Sequence, residues 1–373
     1  MPNRLRITFV LPTLDLSGGV RVISMLAREL DAMGHDVLVV AGPQFRPPVR
    51  DRLRAAVKGD KHRWWSDPGR HHFTDLDIPI RRLDSARPVR DADLPEADAV
   101  IATWWATAEA VAELDASRGT KCYYAQHHEI HMDGQPHDRV NATYRLPLHL
   151  FACSGWVREQ IEPIAGRPVP VVGYGMDRDI FDAPPREKQG RPTVGFMYSD
   201  VAFKGTETTL AAIRLARANL PDLRVRSFGS HPERPHLPLP AGCEHEIAPP
   251  QRRIAEIYAS CDAWLVGSHA EGYGLPMLEA MACRTPLIST RTGAATDLIR
   301  DGANGFVVPV RDHEAMADRI ARVCTRDRDR WRAMSDAAHA TAESLTWRAS
   351  AQAFVDQVER ARSEQAASVS GER

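Results

Sequence analysis

Ser268-His-Ala-Glu-Gly-Tyr-Gly-Leu-Pro-Met-Leu-Glu-Ala-Met-Ala282 follows an apolar run, Asp262-Ala-Trp-Leu-Val-Gly267, that has the composition of a buried strand. Gly272, Gly274 and Pro276 mark the start of a helix behind it. A strand, a glycine turn and a helix start together make an anion site. The turn glycines admit a ligand close to the backbone, and the free N–H groups of the first helical turn face it with the positive end of the helix dipole. Glu271 and Glu279 bracket this turn, one before the helix and one about a turn inside it, so both can face one crevice. A carboxylate repels phosphate but accepts hydrogen bonds from hydroxyls. The ligand implied is a phosphate flanked by sugars; the plainer alternative is a helix cap and a solvated acid.

The wider context decides between them. Glu271-Gly-Tyr-Gly-Leu-Pro-Met-Leu-Glu-Ala-Met-Ala282, then Pro286-Leu-Ile-Ser-Thr, Thr292-Gly293 and Asp301-Gly-Ala-Asn-Gly-Phe-Val-Val308, resembles the donor-binding core of retaining nucleotide-sugar glycosyltransferases of family 4. These have the GT-B fold. The resemblance implies an α/β chain with two Rossmann-like domains facing a cleft and a C-terminal helix that crosses back to the N-terminal domain.

The chain is long enough for two cores, with 373 residues and a formal net charge of -1, so no global field draws it to nucleic acid. Cysteines at 122, 153, 243, 261, 283 and 324 stand singly, several in apolar surroundings, which leads us to expect reduced thiols in a cytoplasmic protein. The start of the chain lacks a signal-peptide pattern, and no stretch of eighteen apolar residues is present. The Asn141-Ala-Thr143 sequon would then stay idle.

In the first half, Ile7-Thr-Phe-Val-Leu11 reads as a buried parallel strand, followed by Gly18-Gly19, a helix with Val20, Ile23, Leu26, Ala27 and Leu30 on one face, and a second strand at Val37–Ala41. Glycines at the first turn of such a βαβ unit admit a phosphate or merely make the turn. The resemblance places Gly18 and Gly19 against the donor diphosphate. Arg46, Arg50, Arg52, Arg54, Lys58, Lys61 and Arg63 lead into Trp64-Trp65. They form either a solvated face or, over residues 46–65, a peripheral contact with anionic lipid at the inner membrane face. Asp75/Asp77, Asp91/Asp93, Asp177/Asp179 and Asp327/Asp329 repeat a DxD pattern too often to mark a metal, and we read them as solvated. The strand Cys122–Ala125 ends in Gln126-His127-His128-Glu129-Ile-His131. Without a second ligand cluster this is not a zinc site. The resemblance puts a histidine that contacts the transferred sugar at His127, with His128 as the alternative. Trp104-Trp105, after the preceding strand, either stack on an acceptor sugar or fill the core.

Asp182–Gly190 has linker composition. We divide the chain into residues 1–182, an acceptor domain; 191–345, a nucleotide-sugar domain; and 346–364, the returning helix, with a disordered tail from Gln365. In the second domain Lys204 matches the lysine that holds the donor phosphates in similar proteins, while Tyr198 stands where they have an arginine. Arg291 is a candidate replacement, and Arg284 stands where relatives have glycine.

The resemblance implies transfer, with retention and without a metal or other cofactor, of a hexose or deoxyhexose from a UDP-, GDP- or dTDP-sugar to a glycan or lipid-linked acceptor. Lys204, Glu271 and His127 are the expected catalytic residues. Gly18, Gly19, Tyr198, Gly272, Tyr273, Gly274, Leu275 and Glu279 are expected to bind the donor. A sugar-nucleotide epimerase, a phosphorylase and a non-catalytic sugar-nucleotide-binding protein are the alternatives.

Overall fold

Ile7 to Leu11 is apolar at nearly every position, as a strand covered on both faces must be. In the computed structural model, which describes residues 4–43 and 70–371, it lies in β1 (Arg6–Leu11). With β2 (Asp36–Ala41), β3 (Ile80–Arg82), β4 (Ala99–Ala102), β5 (Thr120–Ala125) and β6 (His149–Ala152) it forms a parallel sheet in the order β3-β2-β1-β4-β5-β6. A second parallel sheet joins β7 (Thr193–Tyr198), β8 (Arg224–Gly229), β9 (Glu244–Ile247), β10 (Ala263–Val266), β11 (Leu287–Thr290) and β12 (Gly305–Val308) in the order β12-β11-β10-β7-β8-β9. Both orders reverse direction once, at β1/β4 and at β7/β10, and crevices at the carboxyl ends of such switch points are where open α/β sheets take ligands.

Helix α1 (Gly18–Ala32) joins β1 to β2 and buries Val20, Ile23, Leu26, Ala27 and Leu30 on one face, as the spacing predicts. The first domain continues with α2 (Trp105–Ala112), α3 (His137–Thr143) and α4 (Gly155–Ala165); in the second, α5 (Thr206–Asn219) follows β7, α6 (Gln251–Ala259) precedes β10 and α7 (Leu275–Ala282) follows it. After α8 (Ala295–Leu298) come α9 (His313–Cys324) and α10 (Arg328–Glu343).

The returning helix α11 (Trp347–Gly371) packs on the first domain. The Phe354 ring sits 5.5 Å from those of Phe9 and Phe151 and 5.9 Å from that of Tyr124. Ser350 Oγ donates to Gly173 O at 2.5 Å, and Arg362 reaches Asp98 at 3.3 Å. The helix continues past residue 364 to Gly371, which corrects the expected disordered tail; Thr120 Oγ1 of β5 donates to Gln365 Oε1 at 2.7 Å where that continuation starts.

The linker is not a free tether either. Arg186 donates to Cys261 O, Arg284 O and Thr285 Oγ1 with its guanidinium 4.7 Å over the Trp331 ring, and Lys188 caps the Cys324 and Arg326 carbonyls. Three of the DxD acids also have structural work: Asp91 accepts from Asp115 N, Asp93 holds Arg87, and Asp327 caps α10. Residues 46–65, with the basic run and the tryptophan pair, lie outside the described residues. Among the described residues no helix is long and apolar enough to cross a membrane.

Candidate active site

At the β7/β10 switch point two loops meet backbone to backbone. Gly205 has φ +57°, and a Cβ on it would lie 1.9 Å from Gly267 O. This contact sets Lys204, after β7, beside Glu271, after β10. Lys204 Nζ is 2.9 Å from both Glu271 carboxylate oxygens, and Ser268 Oγ donates to Oε1 at 2.7 Å. Glu271 is only 7% exposed. Gly274, at φ +87°, then turns the chain into α7, whose first turn contains Pro276 and carries no side-chain cap. Among the described residues the N–H groups of Gly272, Tyr273, Gly274 and Leu275 have no hydrogen-bond partner, although Gly272 and Tyr273 are buried. Buried amides seldom go unpaired in folded proteins, so the two at Gly272 and Tyr273, continued by the two at the helix start and flanked by a lysine, make a site suited to an anion.

The first domain closes against this turn. A Cβ on Gly272 would lie 1.9 Å from Gln126 O. Ser154 Oγ accepts from Val157 N at the start of α4 and donates to Gly272 O at 2.6 Å, joining helix cap and domain contact in one hydroxyl. Tyr273 packs on Tyr174 with ring centroids 4.4 Å apart. Gly19 lies near Gln126, its Cβ position 3.6 Å from the amide oxygen, whereas a Cβ on Gly18 would meet nothing within 4 Å.

His127, at the end of β5, has Nδ1 2.9 Å from His128 O, while its Nε2 is buried without a partner among the described residues. Burial lowers its pKa, which keeps the ring neutral, and Glu271 and Lys204 are the charged side chains nearest in influence. His128 instead binds Asn141 Oδ1 at 2.9 Å inside the first domain. His127, not His128, thus lies against the loop that carries Lys204, its ring centroid 5.6 Å from that of Phe203.

Glu279 is 4% exposed, with Oε1 2.7 Å from Arg21 Nη1 and Oε2 2.9 Å from Tyr258 OH. Arg21 belongs to the first turn of α1, so this ion pair crosses the cleft. Sequence reasoning missed it, although the position of Arg21 two residues after Gly19 was a signal. Tyr198, expected at the donor, is not brought there. Alternation along β7 aims Met197 at the space beside Lys204 and Gly274 and turns Tyr198 into the core of the second domain. Its hydroxyl accepts from Arg234 N at 2.7 Å and donates to Leu237 O at 2.9 Å. Arg291, offered as a replacement cation, is mostly exposed and lies 3.5 Å from Glu159.

Two further features lie in the first domain. A cavity of about 940 Å³ opens at the carboxyl ends of β1 and β2, walled by Leu11, Leu14, Val40, Leu83 and Val89, with Arg70 and Asp15 also lining it. Trp105, a candidate stacking surface, is engaged by Gln135 through its indole N–H at 2.8 Å and by the Arg139 guanidinium 5.0 Å above its ring. Behind His128, Glu129 is fully buried and accepts from Tyr123 OH at 3.1 Å and Tyr144 OH at 2.6 Å; burial pushes its pKa up to about 7. No disulfide forms among the cysteines; all but Cys243 are buried. Among the described residues no group of three or more His, Cys, Asp or Glu side chains is placed to hold a metal ion.

Comparison with known proteins places the second domain. Residues 191–326 match the family described as glycosyl transferases group 1. A D-inositol 3-phosphate glycosyltransferase of Mycobacterium avium is 30% identical over 197 residues, covering 48% of this chain and 46% of that protein. One from Saccharomonospora viridis is 36% identical over 110 residues, 29% of this chain and 25% of that protein. The matched stretch thus spans between a quarter and about half of such relatives. Anabaena Alr3699/HepE, solved in complex with UDP-glucose, superposes with a TM-score of 0.70 at 16% identity over 96% of this chain and all of that one. A sucrose-phosphate synthase from Thermosynechococcus elongatus gives 0.68 at 15% identity over 95% of this chain and 98% of that one. Residues 191–326 are a group 1 glycosyl transferase domain, and the chain as a whole has the two-domain GT-B glycosyltransferase fold.

Proposed function

We propose that the chain is a retaining glycosyltransferase that moves a hexose or deoxyhexose from a UDP-, GDP- or dTDP-sugar to a glycan or lipid-linked acceptor, without a metal. The observation that carries this reading is the row of unpartnered amides at Gly272–Leu275 beside Lys204. As the bond from the anomeric carbon to the diphosphate breaks, negative charge grows on the departing phosphate. A lysine about 4 Å from a phosphate oxygen supplies roughly 4 kcal/mol at an effective dielectric near 20, and a helix start adds up to about 2 kcal/mol. The acceptor oxygen then bonds the same face of the sugar and passes its proton to the departing phosphate, so no enzymic base is needed. Glu271 takes sugar hydroxyls in place of part of its contact with Lys204, neutral His127 offers Nε2 to another hydroxyl, and Glu279 takes the ribose.

The apolar cavity in the first domain is the proposed acceptor side, and residues 46–65 the contact with anionic lipid at the cytoplasmic face of the inner membrane. The UDP-glucose complex of the Anabaena neighbour favours a nucleoside-diphosphate hexose as donor. The test is to incubate the chain with UDP-, GDP- and dTDP-sugars and measure nucleotide release with and without an envelope lipid or glycan extract. Release that depends on acceptor supports transfer. Donor conversion that needs no acceptor and yields no glycoside would indicate an epimerase, and calorimetry without heat for any of these sugars would remove the reading altogether.

A further inference from the structure

Two ion pairs line the cleft: Lys204 faces Glu271, and Arg21 faces Glu279. A diphosphate entering it needs more cation than a lysine already shared with a carboxylate. Arg21 is placed to supply it. Its side chain is 18% exposed, reaches across from the first turn of α1, and has its guanidinium carbon 5.6 Å from the Phe181 ring centroid. One of its nitrogens, Nη1, is spent on Glu279; Nε and Nη2 have no partner among the described residues and are not sealed from solvent. The turn before it carries no side chain at Gly18 or Gly19, and the space beside Gly18 is open. A pair so far withdrawn from water is a weak device for stability alone, since desolvation offsets its attraction. A guanidinium with a free edge is a strong device for binding a diphosphate, because it forms two parallel charge-assisted bonds.

We propose that Arg21 is a second phosphate-binding cation, contributed by the first domain. When the donor enters, nucleoside hydroxyls take over Glu279, and the free edge of Arg21 turns to the diphosphate opposite Lys204. Closure of the two domains is thereby tied to the presence of phosphate. This assignment rests on the donor-site reading given above.

Calorimetry on the full chain tests it, with UDP, GDP and dTDP and the matching nucleosides as probes. Arg21→Gln is expected to weaken the diphosphate that the wild type binds by about tenfold or more while moving the matching nucleoside by less than about threefold. Arg21→Lys keeps the charge but not the fork, and carries the comparison if Arg21→Gln does not fold: diphosphate binding falls by about threefold or more, and nucleoside binding is unchanged. Equal changes for diphosphate and nucleoside would make Arg21 a latch between domains and overturn the proposal, as would no change in either. Wild-type chain that binds none of the diphosphates would defeat the donor-site reading itself. A wild type that binds, with variants that bind equally well, would defeat only the role of Arg21.

Discussion

Lys204 and Glu271, 67 residues apart in sequence, form a two-oxygen ion pair in which each N···O distance is 2.9 Å. The pair stands at the switch point of the second sheet, where the loops after β7 and β10 touch through Gly205 and Gly267. In the proposed reaction the lysine must divide itself between this carboxylate and the departing phosphate. Lys204→Ala should therefore lower turnover by about two to three orders of magnitude, more than any glycine-turn substitution that preserves the fold. Ser268→Ala, which removes only a hydroxyl from Glu271 Oε1, should cost about tenfold or less. Steady-state nucleotide release for the two variants checks the order, and equal rates would remove Lys204 from the chemistry.

The cleft glycines separate into two kinds. Gly272→Ala would drive a methyl into the Gln126 carbonyl of the other domain, at a distance of 1.9 Å before any movement, so the domains must part. Gly18→Ala meets nothing within 4 Å, at the first position of a helix where alanine is the better helix former. Thermal unfolding should show Gly18→Ala at or above the wild-type midpoint and Gly272→Ala several degrees below it. A Gly272→Ala protein with wild-type midpoint and activity would mean that the cleft is ordinarily open wider than this structure shows.

Most of the architecture was legible because parallel strands buried on both faces leave continuous apolar runs, as at Ile7–Leu11, Ala99–Thr103 and Thr193–Tyr198. Glu271 and the glycine turn were legible as a short pattern next to one of those strands, and Lys204 through the resemblance. The pairing of Arg21 with Glu279 was not, because 258 residues separate them; the place of Arg21 just after the glycine turn marks it as near the cleft but does not name its partner. Tyr198 was misplaced by one strand position: in a structure with period two that is the difference between cleft and core. Arg186 was hidden because a proline-rich, charged segment has the composition of a tether whether or not an arginine in it lies over Trp331.

Arg284, without explanation in the sequence, has one in the structure. It follows α7 with φ +59°, the left-handed conformation in which glycine is at ease. In return its side chain donates to Ala183 O of the linker at 2.8 Å and pairs with Asp336 of α10. Arg284→Gly loses these contacts but relieves the backbone, whereas Arg284→Ala loses the contacts and keeps the strain. Urea unfolding should place the glycine variant above the alanine variant by about 1 kcal/mol, and the reverse order would contradict the conformational account.

The buried Glu129 should give the protein a pH signature of its own. Its carboxyl is pushed up to about 7, chiefly by burial, while two tyrosine hydroxyls donate to it and no cation pairs with it among the described residues. As pH rises from the ordinary carboxylate range the unfolded chain releases this proton first, so the folded state binds more protons and stability falls until the folded carboxyl also ionises near 7. Integrated over that window the loss is of order 3 kcal/mol. Half-buried His127 and His131 act in the opposite sense: desolvation lowers both, His131 to about 4, so each makes the folded chain less stable as pH falls through the ordinary histidine value. Comparing wild type with Glu129→Gln cancels the histidines. The amide can still accept from one tyrosine, and its stability relative to wild type should improve by about 2–3 kcal/mol between pH 5 and pH 8. Urea unfolding at the two pH values gives the difference directly, and profiles that stay parallel would mean that Glu129 is ionised throughout, with water reaching it between Tyr123 and Tyr144.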